Sequence, residues 1–303
     1  MRITSNMSSD NSVYNLQQSR ARLDRLQSQV ASGQNVNTPS DDPISSRLLL
    51  DIGDRLRSID QRSSNISKAT SWLQFTNTAL EGMADIVHQA KKIAGSINTG
   101  SDDPTIRQNA HDQLVNFKQQ LVDMANTQFG DQYIFGGANN SVAPFNNTNN
   151  NFAGDGTQLS IEVAQNATQG MNLTGDRVLK GVGSNPSYGS IDLMKTFDDL
   201  IAAVGDSTTP SNVPAISQAA IDFQDGAKQI STAISDSLSR MTRLDSMSKL
   251  NENTKNTLLT VATNVQSVDY AKLGVELSQQ KLAFEASLSA TAKISDLSLL
   301  NYL

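Results

Sequence analysis

The sequence predicts a mainly α-helical protein: long antiparallel helices from both termini form a bundle or coiled coil, with a small β-rich insert domain between them. Three observations lead there. Apolar residues recur at three- and four-residue spacings from Val13 to Met124 and again from Ala215 to the end. The stretch from 138 to 214 is instead rich in Asn, Gly and other turn formers. Toward the N-terminus the apolar face narrows to a seven-residue repeat, too thin to wrap a globular core alone.

The elements follow in order. Leu16, Leu23 and Val30 are seven apart, with Val13 and Leu26 beside them. Gly33 and the stretch to Pro39 interrupt this first helix. Ser40-Asp41-Asp42-Pro43 reads as a helix start, with Asp42 as N-cap and Pro43 at the first helical position. A very long helix then runs to about Ile97 through Leu48, Leu49, Ile52, Leu56, Ile59, Ile66, Leu73, Leu80, Met83 and Val87. Asn98-Thr99-Gly100-Ser101-Asp102-Asp103-Pro104 repeats the same start signal. The next helix continues through Leu114, Phe117, Leu121 and Met124.

After Phe129 the pattern changes. Tyr133-Ile134-Phe135 reads as a short strand closed by Gly136-Gly137, and Leu159, Ile161 and Val163 alternate as on one face of an exposed antiparallel sheet. A short helix is expected over Asp192 to Val204, then a linker from Gly205 to Pro214. Residues 138–226 hold nine acids and three bases, whereas residues 1–62 hold seven acids and eight bases. Residues 138–226 therefore account for the chain's net charge of -6, which suits a solvent-facing lobe in the middle of the chain that tolerates removal of residues 140–205. From Ala215 the helical period persists through Phe223, Ile230, Met241, Leu250, Leu258, Val275 and Leu282, with Leu273, Leu277, Phe284 and Leu288 widening the apolar face.

Several function classes fall away. With no cysteine and only His88 and His111, thiol chemistry and the usual metal sites lack ligands, so no cofactor and no metal are expected. The Asp41-Asp42 and Asp102-Asp103 pairs are explained as helix caps. Gly136-Gly137 lacks the lysine and the helix start of a phosphate loop and reads as a turn. Trp72 lies beside Leu73, Phe75 and Leu80, as core or subunit-contact packing requires. Arg20, Arg22 and Arg25 form a basic turn that Glu276, Glu285 and Asp296 can answer by helix pairing, and the acidic chain offers nucleic acid no general attraction. The opening Met1-Arg2-Ile3-Thr4 has no apolar signal-peptide core, and no apolar run is long enough to span a membrane.

The residues also carry a resemblance. Arg2-Ile3-Thr4, Leu26-Gln27-Ser28-Gln29-Val30-Ala31-Ser32-Gly33, Pro39-Ser40-Asp41-Asp42-Pro43, Thr127 through Gly137, and Leu297-Ser298-Leu299-Leu300-Asn301-Tyr302-Leu303 occur in the order found in the bacterial flagellin superfamily. The chain resembles that superfamily, and within it the subunits at the junction of hook and filament. Flagellins usually carry Phe-Asn-Gly where this chain has Phe129-Gly130-Asp131, and they seldom end in Asn-Tyr-Leu.

The resemblance implies a non-enzymatic, extracellular subunit exported unfolded by the flagellar type III pathway. Hook-associated protein 1, flagellin, copies of itself in a junction layer and an export chaperone are its implied partners, with no nucleic acid and no membrane. Residues 1–42 plus 265–303 would be the terminal helices of an inner-tube domain, 43–137 plus 215–264 a long-helix core domain, and 138–214 an outward-facing insert. The expected assembly contacts are Leu16, Leu23, Leu26 and Val30 against Leu277, Leu282, Phe284 and Leu288, with Leu299, Leu300 and Leu303 in a buried apolar end. A flagellin-type subunit of the filament itself is the nearest alternative. A cytoplasmic coiled-coil scaffold would need heptads through 138–214, which the Asn- and Gly-rich insert denies. An enzyme would need a base or metal ligand that the insert lacks.

Overall fold

The computed structural model describes residues 5–98, 103–146, 150–183, 187–205 and 212–300. Seven helices and two small hairpins follow in the order α1 (Ser5–Ser32), α2 (Pro43–Asn98), α3 (Pro104–Ala125), β1 (Gln128–Phe129), β2 (Gln132–Tyr133), β3 (Ser160–Ala164), β4 (Ala167–Gly170), α4 (Gly175–Leu179), α5 (Leu193–Gly205), α6 (Val213–Gln266) and α7 (Tyr270–Leu300). The fold is mainly α-helical with a small antiparallel β component. It divides into two compact units: residues 1–58 with 253–303, and residues 59–252.

In the first unit α1 packs along α7. They run antiparallel, because Gln280 Nε2 donates to the Ser19 carbonyl (3.0 Å) and hydroxyl (2.9 Å) while the Tyr270 hydroxyl lies against Gly33. Gly33 has φ +69°, and a Cβ there would come 2.6 Å from the Tyr270 oxygen. Conformation and space thus both call for glycine where α1 ends. The connector that follows, 33–42, is tied down by its acids. Asp41 accepts from the Thr38 N–H (2.8 Å), the Thr38 hydroxyl (3.0 Å) and the Asn37 N–H (3.2 Å). Asp42 accepts from the Ile44 and Ser45 N–H groups at 3.0 and 3.1 Å and from the Ser45 hydroxyl at 2.7 Å, so it caps α2 as the sequence predicts.

The last 90 residues are not one uninterrupted helix. They break at Ser267-Val268-Asp269, and Asp269 caps α7 by accepting from the Ala271 and Lys272 N–H groups. This break is hydrogen-bonded to the one after α1. Asn35 N–H donates to the Gln266 carbonyl at 2.7 Å, and Gln34 forms an isolated antiparallel bridge with Ser267. The backbone groups freed by two helix ends thereby satisfy each other.

The second unit holds one continuous core. It combines Leu73, Leu80 and Met83 of α2, Leu114 and Leu121 of α3, and Phe223 and Ile230 of α6 with residues of the insert such as Phe145, Leu173, Val178 and Phe197. Phe197 and Phe223 meet edge to face at 4.8 Å, and Gly226 lets α6 approach Leu193, whose Cδ2 occupies the space of the missing side chain. The insert's apolar residues thus enter the same core as the helices. Asp103 caps α3 through the Thr105 N–H, with Pro104 at the first helical position as predicted; residues 99–102 of the repeated start signal lie outside the described residues. Trp72 is buried and packs edge-on to Phe129 at 5.9 Å. The first hairpin turns on Gly130-Asp131, and Gly130 has φ +62°, the requirement at the first central position of a II′ turn. The predicted strand at Tyr133-Ile134-Phe135 is shorter: β2 ends at Tyr133, Ile134 N–H still donates to the Thr127 carbonyl (3.1 Å), and the Ile134 and Phe135 side chains fill the core. Of the predicted linker, residues 206–211 lie outside the described residues.

Candidate assembly surface

The α1–α7 pair is built from two matching three-four repeats. The half-buried positions are Ser12, Leu16, Ser19, Leu23 and Leu26 on α1, and Leu277, Gln280, Phe284, Ser287 and Thr291 on α7, with Leu273 and Gln29 buried. Antiparallel pairing brings Leu16 to the level of Phe284 and Leu23 to that of Leu277. Between these apolar levels lies a polar one, Ser19 with Gln280, and outside Leu16 and Phe284 lies another, Ser12 with Ser287. A seam that alternates in this way fixes register through Gln280, but it buries little apolar surface.

The predicted contact residues therefore separate into two groups. Leu16, Leu23, Leu26, Leu277 and Phe284 are half-buried positions of the intrachain seam. Val30, Leu282 and Leu288 are exposed, the last two at 67% and 52%. On a helix with 100° per residue, Val275 and Leu282 lie opposite the seam, so α7 presents a second apolar face to solvent. Leu288 flanks the seam at the level of Val13, which is also exposed. Leu299 and Leu300 are in the backbone of α7 and their side chains lie outside the described residues, as does all of Leu303.

Two arginines of the basic turn of α1 pair with Asp24 and Asp41, neither of them an expected partner, and the Asp296 side chain lies outside the described residues. Arg25 pairs with Asp41 of the connector at 3.2 Å, Arg20 lies 3.9 Å from Asp24 on its own helix, and Glu276 lies 3.9 Å from Lys272. Hydrogen bonds from the Thr38 backbone and hydroxyl and from Asn37, with the Arg25 charge, hold the Asp41 carboxyl below the usual range; desolvation opposes them. The Ser45 hydroxyl and backbone do the same for Asp42.

Among the described residues no group of three or more His, Asp or Glu side chains could hold a metal ion, and no helix is long and apolar enough to cross a membrane. His88 and His111 lie on separate helices, His111 beside Asp112 at 3.1 Å.

The sequence reading overlooked Asp269, Tyr270 and the Ser19–Gln280 contact. Only Asp269 left a signal, as an acid within an otherwise unbroken apolar repeat.

Comparison with known proteins gives this surface its context. Residues 3–140 match the model of the bacterial flagellin N-terminal helical region. Flagellar hook-associated protein 3 of Escherichia coli (strain K12) is 24% identical over 305 residues, covering 98% of this chain and 88% of that protein. The protein of the same name from Salmonella typhimurium is 25% identical over 222 residues, covering 70% and 69%. In three dimensions the fold resembles a flagellar hook-associated protein from Vibrio parahaemolyticus, with a TM-score of 0.66 at 20% identity over 75% of this chain and 100% of that one. The chain is thus similar in sequence to flagellar hook-associated protein 3, over 98% of its length for the Escherichia coli protein.

Proposed function

We propose that this chain is the structural adaptor between flagellar hook and filament, a secreted, non-catalytic subunit that joins hook-associated protein 1 to flagellin. Its end-to-end similarity to hook-associated protein 3 carries this reading. The physical role follows from α1 and α7. A seam that leaves Leu16, Leu23 and Leu277 half-buried, beside a second α7 face with Val275 and Leu282 exposed, is suited to completion by neighbouring helices. Full burial of each leucine would contribute about 1.5–3 kcal/mol, of which the isolated chain realises only part.

In this reading residues 1–42 and 265–303 enter the inner tube, 43–137 and 215–264 form the next shell, and 138–214 lies on its outer side. Copies of the chain form one layer, with hook-associated protein 1 on one side and flagellin on the other. Before assembly, the exposed face of α7 is available to a type III export chaperone. A subunit with unlike neighbours above and below has no need of self-complementary ends, so purified copies are expected to polymerise poorly.

The match of residues 3–140 to the flagellin model favours one competing reading, a subunit of the filament itself. Immunogold labelling of intact flagella separates the two. The junction reading expects one short labelled zone beside the hook, and loss of the gene should leave bare hooks and release flagellin into the medium. Label along the whole filament would establish the competing reading.

A further inference from the structure

Helix α6 carries three large polar side chains that are buried and spaced eleven residues apart: Gln229, Arg240 and Asn251. Eleven residues are close to three helical turns, so the three stand in one line with a rise of about 16 Å between neighbours. Each is directed to backbone in the insert. Gln229 Nε2 donates to the carbonyls of Val178 (2.7 Å) and Ile191 (3.0 Å), and its Oε1 accepts from the Ile191 N–H (3.0 Å). Arg240 donates to the Asn172 carbonyl (3.0 Å) and pairs with Asp236 (2.7 Å), which accepts from the Tyr188 hydroxyl (2.7 Å). Asn251 donates to the Val163 carbonyl at 3.1 Å. From Asn251 to Gln229 the line therefore meets the insert in chain order, at 163, 172 and then 178 with 191.

We propose that Gln229, Arg240 and Asn251 are a ladder that registers the insert along α6 and makes the fold of residues 157–183 and 187–192 conditional on that helix. Val163 sits at the register shift of the β3–β4 hairpin, Asn172 follows that hairpin and Val178 lies in the last turn of the five-residue α4, and each carbonyl accepts from α6. Buried carbonyls need donors, and here α6 supplies them at 163, 172, 178 and 191. The donors address main chain, so the ladder constrains the path of the insert more than its side chains. Gly189 belongs to the same arrangement, because the space of its missing side chain is filled by Gln229. The segment is in this sense templated: it has no settled conformation until α6 lies beside it. The inference does not depend on where the chain sits in a flagellum.

Hydrogen–deuterium exchange on the purified full-length protein tests it. Gln229→Ala should raise exchange of the amides between 178 and 192 by about tenfold or more, Arg240→Met those around 170–172 and 188, and Asn251→Ala those around 163. Helix α3 should retain its protection in all three. Gln229→Glu keeps the acceptor for Ile191 N–H and loses both donors, so it should loosen 178–179 while leaving an intermediate level at 191. Unchanged exchange in the insert, or an equal rise in α3 and the insert, would overturn the ladder.

Discussion

The two units differ in how far each satisfies its own apolar side chains. In the unit of residues 59–252, Leu73, Leu80, Leu114 and Phe223 are wholly enclosed. In the unit of residues 1–58 and 253–303, the leucines of the α1–α7 seam are half-buried and Leu282 is mostly exposed. The first arrangement surrounds each side chain with several elements. The second is a two-helix contact, which can cover only one stripe of each helix. A closed core belongs to a part that is stable before assembly, and an open stripe to a part whose last contacts come from other chains.

The largest test removes residues 140–205. The acidic, turn-rich composition suggested a separable lobe. Phe145, Leu173, Val178, Leu193 and Phe197 instead belong to the same core as α2, α3 and α6. Their loss would uncover Leu114 and Phe223, and the shortened chain is expected to lose cooperative unfolding and the near-ultraviolet circular dichroism of Trp72. A soluble deletion variant with a sharp melting transition would show that the helices close a core without the insert.

Single substitutions sharpen the same contrast. Leu80→Ala should cost about 2–5 kcal/mol in urea unfolding of the purified monomer, because it empties a fully enclosed site. Leu282→Ala should change that stability by no more than about 0.5 kcal/mol, as expected for an exposed residue. In cells the order reverses for assembly: Leu282→Asp should be secreted yet fail to enter flagella, measured by immunoblot of sheared flagella against medium. Equal losses of stability for Leu80→Ala and Leu282→Ala would erase the distinction between the units.

The helical ends and the caps at Asp42 and Asp103 were readable because each depends on local chemistry, an apolar period or an acid before proline. The break before α7 was not. Ser267-Val268-Asp269 contains neither Gly nor Pro, and the apolar period continues across it. What stabilises that break is a hydrogen bond from Asn35, more than 200 residues earlier. The ladder on α6 escaped notice for a related reason. Gln229, Arg240 and Asn251 look like surface residues until carbonyls from 163–191 are brought against them. The seam was half legible: Leu16, Leu23 and Phe284 declared themselves, while Ser19 and Gln280 were polar residues in positions where a repeat search looks for leucine.

Acidification gives the smallest expected effect and separates the units most finely. Asp41 and Asp42 hold the connector after α1, and the hydrogen bonds they accept depress both carboxyls below the ordinary aspartate value of about 3.9. Because the folded form binds the proton less readily than the unfolded form, their contribution is complete above about pH 4 and is lost as pH falls through the depressed folded values. Both groups are half-buried at the surface of one short connector, so the result should be local loosening rather than unfolding. Amide resonances of Thr38, Ile44 and Ser45 should shift and exchange faster below pH 4, while those of Leu80 and Phe223 in the closed core should hold. Asp155 is a local counterpart in the other unit, where the Ala138 N–H lowers its carboxyl, so the turn at 138 should respond in the same pH range. The Asp41→Asn, Asp42→Asn double variant should lose the step at 38–45 and keep the one at 138. If the step at 38–45 persisted in that variant, these two carboxylates would not be what holds the connector in place.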